Sequence, residues 1–147
     1  MQLLTCKSFA KLNLCLHILD RRKDGYHNLE SIFCIIDFYD TLSFQKNNST
    51  KVNFKTNSNE IDSTHNLVTK AYNVISNLYD IEGVDIFLDK QIPIGSGLGG
   101  GSSNAAVTLL ALNDIFKLNI SKDNLMKISK DIGADVPFFI DGGAAYI

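Results

Sequence analysis

Pro93-Ile94-Gly95-Ser96-Gly97-Leu98-Gly99-Gly100-Gly101-Ser102-Ser103-Asn104-Ala105-Ala106 stands between an alternating apolar stretch and a helical one. Five glycines fall in the seven positions from Gly95 to Gly101. Glycine is conformationally costly, so this density needs a reason. One reason is that glycines let successive backbone N–H groups curl round a phosphate without Cβ collisions. Ser102, Ser103 and Asn104 then open a helix whose first N–H groups and positive dipole end face the same anion. The alternative for a glycine cluster is a flexible surface loop. Such loops rarely run straight into a periodic, buried helix.

Two familiar phosphate loops serve as tests. The Walker A pattern needs a lysine after the glycines, and none follows here. Gly95-x-Gly97-x-x-Gly100 does match the dinucleotide fingerprint, which expects an acidic residue about 20 positions on, at the end of a second strand. The corresponding stretch, Leu118-Asn119-Ile120, leads into another helix instead.

Upstream of the loop, Val84, Ile86 and Leu88 alternate as a strand running into Lys90 and Pro93. Before it, Leu67, Ala71, Val74 and Leu78 mark one face of a helix, with Ser63-Thr64 as plausible caps. The N-terminal part reads as antiparallel β. Leu12, Leu14, Leu16 and Ile18 point one way, and Lys11, Asn13, Cys15 and His17 the other. Arg21 to Gly25 is a charged turn, Leu29–Phe38 a second strand, and Asp40 the start of a connection to Thr41–Phe44. Lys46–Thr50 is a hairpin-like tip before Val52–Lys55.

Downstream, Ala105, Leu109, Leu112 and Phe116 form a helix face. Ser121 caps a short helix ending near Gly133, Ala134–Pro137 connects, and Phe138–Ile140 reads as a short strand. The class is α+β in one domain, with strands first and helices packed later. The chain ends on Asp141-Gly-Gly-Ala-Ala-Tyr-Ile147, a turn running into an apolar stretch, so we expect the protein to continue beyond it.

The 147 residues are 45% hydrophobic and 20% charged, with 14 basic against 16 acidic side chains and a net charge of −2. A nearly neutral chain argues against non-specific nucleic-acid or membrane-surface binding. The N-terminus meets Lys7 before any long apolar run and does not read as a signal peptide. Cys6, Cys15 and Cys34 show no metal-ligand or disulfide spacing. The expectation is a reduced, cytoplasmic protein.

Pro93–Ala106 resembles the phosphate-binding motif of the GHMP kinases (galactokinase, homoserine, mevalonate and phosphomevalonate kinases). Three further segments agree in order and spacing: Ala10-Lys11-Leu12-Asn13-Leu14, Asp24-Gly25-Tyr26-His27, and Gly133-Ala134-Asp135-Val136-Pro137-Phe138-Phe139. The four matches span residues 8 to 140. One departure is Phe9, where the family usually has proline. The resemblance implies the N-terminal lobe of that family, a ribosomal-protein-S5-domain-2-like α+β unit over residues 1–147. A C-terminal lobe should follow it.

The GLGGGSSNAA form is similar to the branch acting in non-mevalonate isoprenoid biosynthesis. It implies ATP-dependent phosphorylation of the 2-hydroxyl of 4-diphosphocytidyl-2-C-methyl-D-erythritol, a cytidine-diphosphate-linked sugar alcohol. By that resemblance Asp135 is the catalytic base and Lys11 the catalytic lysine, while Asn13 meets substrate hydroxyls and Tyr26 with His27 hold cytosine. Pro93, Gly95, Gly97, Leu98, Gly99, Gly100, Gly101, Ser102 and Ser103 bind the ATP phosphates, and Asn66 and Lys90 lie on the adenine side. ATP and Mg2+ are the implied cofactors; Ser102 and Ser103 bind phosphate or Mg2+, and the metal ligands are open.

Each role has a plainer counterpart on pattern alone. Asp135 reads as a turn or cap aspartate, Lys11 as a surface lysine, Tyr26 with His27 as a core ring beside a loop imidazole, Asn66 as a helix cap and Lys90 as an exposed strand end. Two rival functions remain in play. One is a mevalonate- or homoserine-type kinase that does not read cytosine. The other is a non-catalytic S5-like binding module, with RNA as one candidate ligand, against which the lack of a basic stripe speaks.

Overall fold

The computed structural model describes residues 3–21, 23, 25 and 27–146, except the side chains of 16, 17, 27–29 and 146. Two long strands, β1 (Leu4–Arg21) and β2 (His27–Lys46), form an antiparallel hairpin whose register shifts three times. β3 (Asn53–Thr56) leads through a loop to α1 (Leu67–Leu78), and β4 (Val84–Asp89) leads through the glycine loop to α2 (Gly100–Ile115). α3 (Lys122–Lys130), α4 (Val136–Asp141) and β5 (Ala144–Tyr146) complete the α+β order expected from sequence.

The sheet runs β1-β2-β4-β3, with β5 pairing β2. β2 is long enough to serve two partners along one edge. β4 pairs Thr41–Lys46 and β5 pairs Ile32–Cys34, both antiparallel, while β1 occupies the other edge. The core lies between one sheet face (Leu42, Phe44, Phe54, Val84, Ile86, Leu88) and the helices. From α1 it takes Ala71 and Ile75, and from α2 Ala105, Leu109 and Leu112. Strict alternation along β4 delivers Val84, Ile86 and Leu88 to that face and leaves Phe87 exposed on the other.

Five expectations change. The second strand does not stop before Asp40; β2 runs through it, because buried donors from elsewhere satisfy the carboxylate. β3 pairs parallel with β4 rather than folding back on β2, since β4 inserts between them. The cap of α1 is Asn66, whose Oδ1 accepts from the Thr69 N–H at 2.9 Å, and its buried stripe runs Val68, Ala71, Tyr72, Ile75 while Leu78 is exposed. Phe138–Ile140 is helical, within α4; Pro137 suits a first helical turn, where its missing N–H has no partner to lose. Finally, on β1 Lys11 is buried beside Ala10, while Leu12, Leu14 (63%) and Ile18 (67%) are exposed.

Candidate active site

β4 ends at Asp89, and the chain crosses Lys90–Pro93 before entering the glycine loop. Gly95, Gly97 and Gly99 have φ of 70°, 76° and 71°, the left-handed region that side chains avoid. Gly99 caps α2 without a side-chain hydrogen bond, whereas Asn66 and Ser121 cap α1 and α3 with theirs. The first-turn amides of α2 are thus left for an anion. Beside them opens a cavity of roughly 340 Å³, lined by Gly95, Gly97, Gly99–Gly101, Ser102 and the apolar Phe54, Ile61, Leu67, Val68 and Ile94. Amides on one wall and hydrocarbon on the other suit a ligand with a polyanionic tail and a flat apolar head.

The loop abuts a lysine–carboxylate pair. The Lys11 backbone N–H donates to the Leu98 carbonyl at 2.9 Å, stitching β1 to the loop. Its Nζ lies 3.3 Å from Asp135 Oδ2 and donates to Asn13 Oδ1 at 3.0 Å. The same ammonium sits 3.6 Å from the Phe33 ring centroid, and Phe33 packs edge-on against Phe138. Phe138 in turn packs edge-on against Phe139. A Cβ on Gly99 would lie 2.8 Å from the Phe139 ring and 3.0 Å from Lys11 Cγ, so the loop needs glycine to come this close. The lysine side chain is 6% exposed and the aspartate 37%, which leaves a carboxylate reachable by a substrate hydroxyl. Asp135 precedes α4 without capping it through its side chain, so the carboxylate is paired with Lys11 through Oδ2 and is not tied to the helix end.

Lys11, Asn13 and Asp135 are therefore brought together beside Leu98 and the loop glycines. Asn66 lines the cavity while its amide group caps α1 and donates to the Asp62 carbonyl at 2.8 Å. Lys90 lines the cavity too, but its ammonium is engaged by buried Asp40 at 2.8 Å and by the Ile92 carbonyl. Ser102 faces the cavity, whereas the Ser103 hydroxyl is buried and accepts from Ser8 Oγ at 2.8 Å. Tyr26 lies outside the described residues, as does the side chain of His27, whose backbone opens β2. No group of three or more His, Cys, Asp or Glu side chains could hold a metal among the described residues. A magnesium ion would fit here only if the nucleotide brings most of its ligands, with Ser102 beside it. Sequence reasoning missed Asp40, Phe33 and Phe139.

The description "GHMP kinases N terminal domain" matches residues 66–143. The chain is 46% identical over 142 residues to a 4-diphosphocytidyl-2-C-methyl-D-erythritol kinase of Francisella philomiragia, covering 95% of this chain and 52% of that one. A kinase of the same name from Paraburkholderia xenovorans is 45% identical over 142 residues, covering 96% and 48%. A solved 4-(cytidine 5'-diphospho)-2C-methyl-D-erythritol kinase superposes with a TM-score of 0.85 at 34% identity, covering 98% of this chain and 51% of that one. The chain spans about half the length of the curated relatives it matches.

Proposed function

The chain belongs to the GHMP kinases, and from that premise we propose that its protein phosphorylates the 2-hydroxyl of 4-diphosphocytidyl-2-C-methyl-D-erythritol with ATP, a step of non-mevalonate isoprenoid synthesis. The observation that supports the chemistry is the Lys11–Asp135 pair, 3.3 Å apart and joined to the glycine loop through Leu98. The acceptor is taken from the names of the relatives.

In this reading the apolar wall takes adenine, and the loop amides with the α2 N-terminus hold the phosphates. Asp135 takes the hydroxyl proton as that oxygen attacks the γ-phosphoryl group. Lys11 orients the carboxylate and places positive charge beside the forming bond. Asn13 shares the Lys11 face of β1 and meets substrate hydroxyls. Tyr26 and His27 hold cytosine. Bound Mg2+ supplies charge neutralisation on the transferring phosphoryl, and the Ser102 hydroxyl is the residue that would hold it. A second lobe of similar size completes the protein, and the setting is cytoplasmic, in keeping with three free cysteines.

ADP release by the intact protein tests the proposal. Release should require both ATP and the cytidine-linked alcohol, and should fall by at least about 100-fold with the uridine analogue, whose base edge reverses a donor and an acceptor. Equal rates with both bases, or turnover of mevalonate or homoserine instead, would place the protein in another branch of the family.

A further inference from the structure

Within the glycine loop Ser96 Oγ donates to the Pro93 carbonyl at 2.7 Å, and the two ends of the loop converge on one buried group. Asp40 is fully buried in β2, paired with Ser8 of β1. Its Oδ1 accepts from the backbone N–H groups of Gln91 and Ile92 at 2.7 and 2.8 Å. Its Oδ2 accepts from Lys90 Nζ at 2.8 Å and Asn104 Nδ2 at 2.9 Å. Lys90, Gln91 and Ile92 are the residues entering the loop, and Asn104 lies on α2 just after it. The second Asn104 amide hydrogen goes to Ser8 Oγ at 2.9 Å, and Ser8 donates onward to Ser103 Oγ at 2.8 Å.

We propose that Asp40 is a positioning residue for phosphate binding: one buried carboxylate clamps the entrance of the glycine loop and the helix leaving it, holding the loop amides in their phosphate-binding curve before nucleotide arrives. The functional part rests on the kinase reading; the clamp itself does not. A carboxylate suits the site because four donors converge on it and both of its oxygens accept, whereas an amide offers one acceptor oxygen. Asparagine has the same shape but sets an amide nitrogen against Lys90 Nζ or against the Gln91 and Ile92 amides. The ammonium of Lys90, which lines the cavity, is engaged by this carboxylate and by the Ile92 carbonyl. A Cβ on Gly100 would lie 3.0 Å from it, so the start of α2 packs directly on the clamp.

The test uses the intact protein and its Asp40→Asn variant, with two readouts. Without nucleotide, amide hydrogen exchange should rise at least about tenfold at residues 91–92 and 99–104, with Ile86 and Leu109 as protected as in the wild type. ATP should bind at least about tenfold more weakly, while the KM for the sugar alcohol stays within about twofold. Unchanged exchange at the loop overturns the proposal, and so does a uniform rise across the core. Should the wild type bind no ATP, the kinase reading fails while the exchange pattern still decides whether Asp40 clamps the loop. If Asp40→Asn does not fold, Ser8→Ala decides, because it removes only the hydroxyl relay behind Asn104. Loosening confined to residues 100–104 supports the clamp, and no change or a global change contradicts it.

Discussion

The Lys11 ammonium and the Asp135 carboxylate, from opposite ends of the chain, meet at 3.3 Å beside the glycine loop, with the lysine buried and the aspartate partly open to solvent. This asymmetry gives Lys11→Met a distinctive signature. Breaking a buried pair costs about 3–5 kcal/mol when it strands a buried charge. Here the surviving carboxylate is 37% exposed and can be hydrated. Thermal unfolding should therefore show little loss of stability, under about 1.5 kcal/mol, whereas turnover should fall by about 100-fold or more. A large stability loss with normal turnover would make the pair a structural bridge.

Gly97 and Gly99 share a positive φ but differ in surroundings. A Cβ on Gly97 would meet nothing within 4 Å, so Gly97→Ala carries only the left-handed penalty, roughly 1–2 kcal/mol. Gly99→Ala adds a collision with Phe139 and Lys11, about 1–3 kcal/mol more, and displaces the lysine. Melting curves should rank Gly99→Ala below Gly97→Ala, and the Gly99 variant should lose turnover by at least about tenfold. Equal effects would mean that the Lys11–loop contact does not matter.

Gly83 provides a contrast remote from the chemistry. The 47–51 turn wraps it, with Asn47 N–H donating to the Gly83 carbonyl at 2.9 Å and Gly83 N–H to the Ser49 carbonyl at 2.7 Å. An added Cβ would collide with Asn47 Oδ1, the Lys51 carbonyl and Ser49 Oγ, all three held by hydrogen bonds within the turn. Gly83→Ala should lower Tm by roughly 5 °C. ATP affinity of the folded protein should stay unchanged, measured by calorimetry below the transition.

Asp62 orders the approach to α1. Its carboxylate accepts from Thr64 Oγ1 at 2.7 Å, Thr64 N–H at 2.7 Å and His65 N–H at 2.9 Å. The Thr64 hydroxyl first, then these two backbone donors, hold its pKa well below the usual carboxylate range, with a lesser pull from His65. A depressed folded pKa stabilises above the unfolded value of about 3.9 and ceases to do so only as pH falls through the folded one. NMR titration should therefore find Asp62 still ionised at about pH 3. An ordinary midpoint would show that the turn does not persist in solution.

Much of this arrangement was legible in the residues, and the failures share a cause. Alternation along β1 announced two faces, but period two does not say which one is covered. Lys11 is buried while Leu12 and Leu14 are exposed, because the inward position is set by Phe33, Asp135 and the loop, all distant in sequence. Asp40 read as a break in β2 for the same reason, its four donors coming from Lys90, Gln91, Ile92 and Asn104. Phe138–Ile140 is apolar at every position, so periodicity could not separate a buried helix turn from a buried strand. The glycine loop was readable because its requirement is local. Backbone that must take left-handed φ admits little but glycine, and Gly95, Gly97 and Gly99 do take it.

Asp135→Asn in the intact protein decides the role of the carboxylate through two measurements, ATP affinity by calorimetry and ADP formation in a single turnover. Affinity within about threefold of wild type with transfer slowed by about 100- to 10,000-fold is the predicted result, because the loop binds phosphate and Asp135 handles the proton. Transfer at the wild-type rate would contradict the assignment and reduce the Lys11–Asp135 contact to an ion pair between β1 and the start of α4.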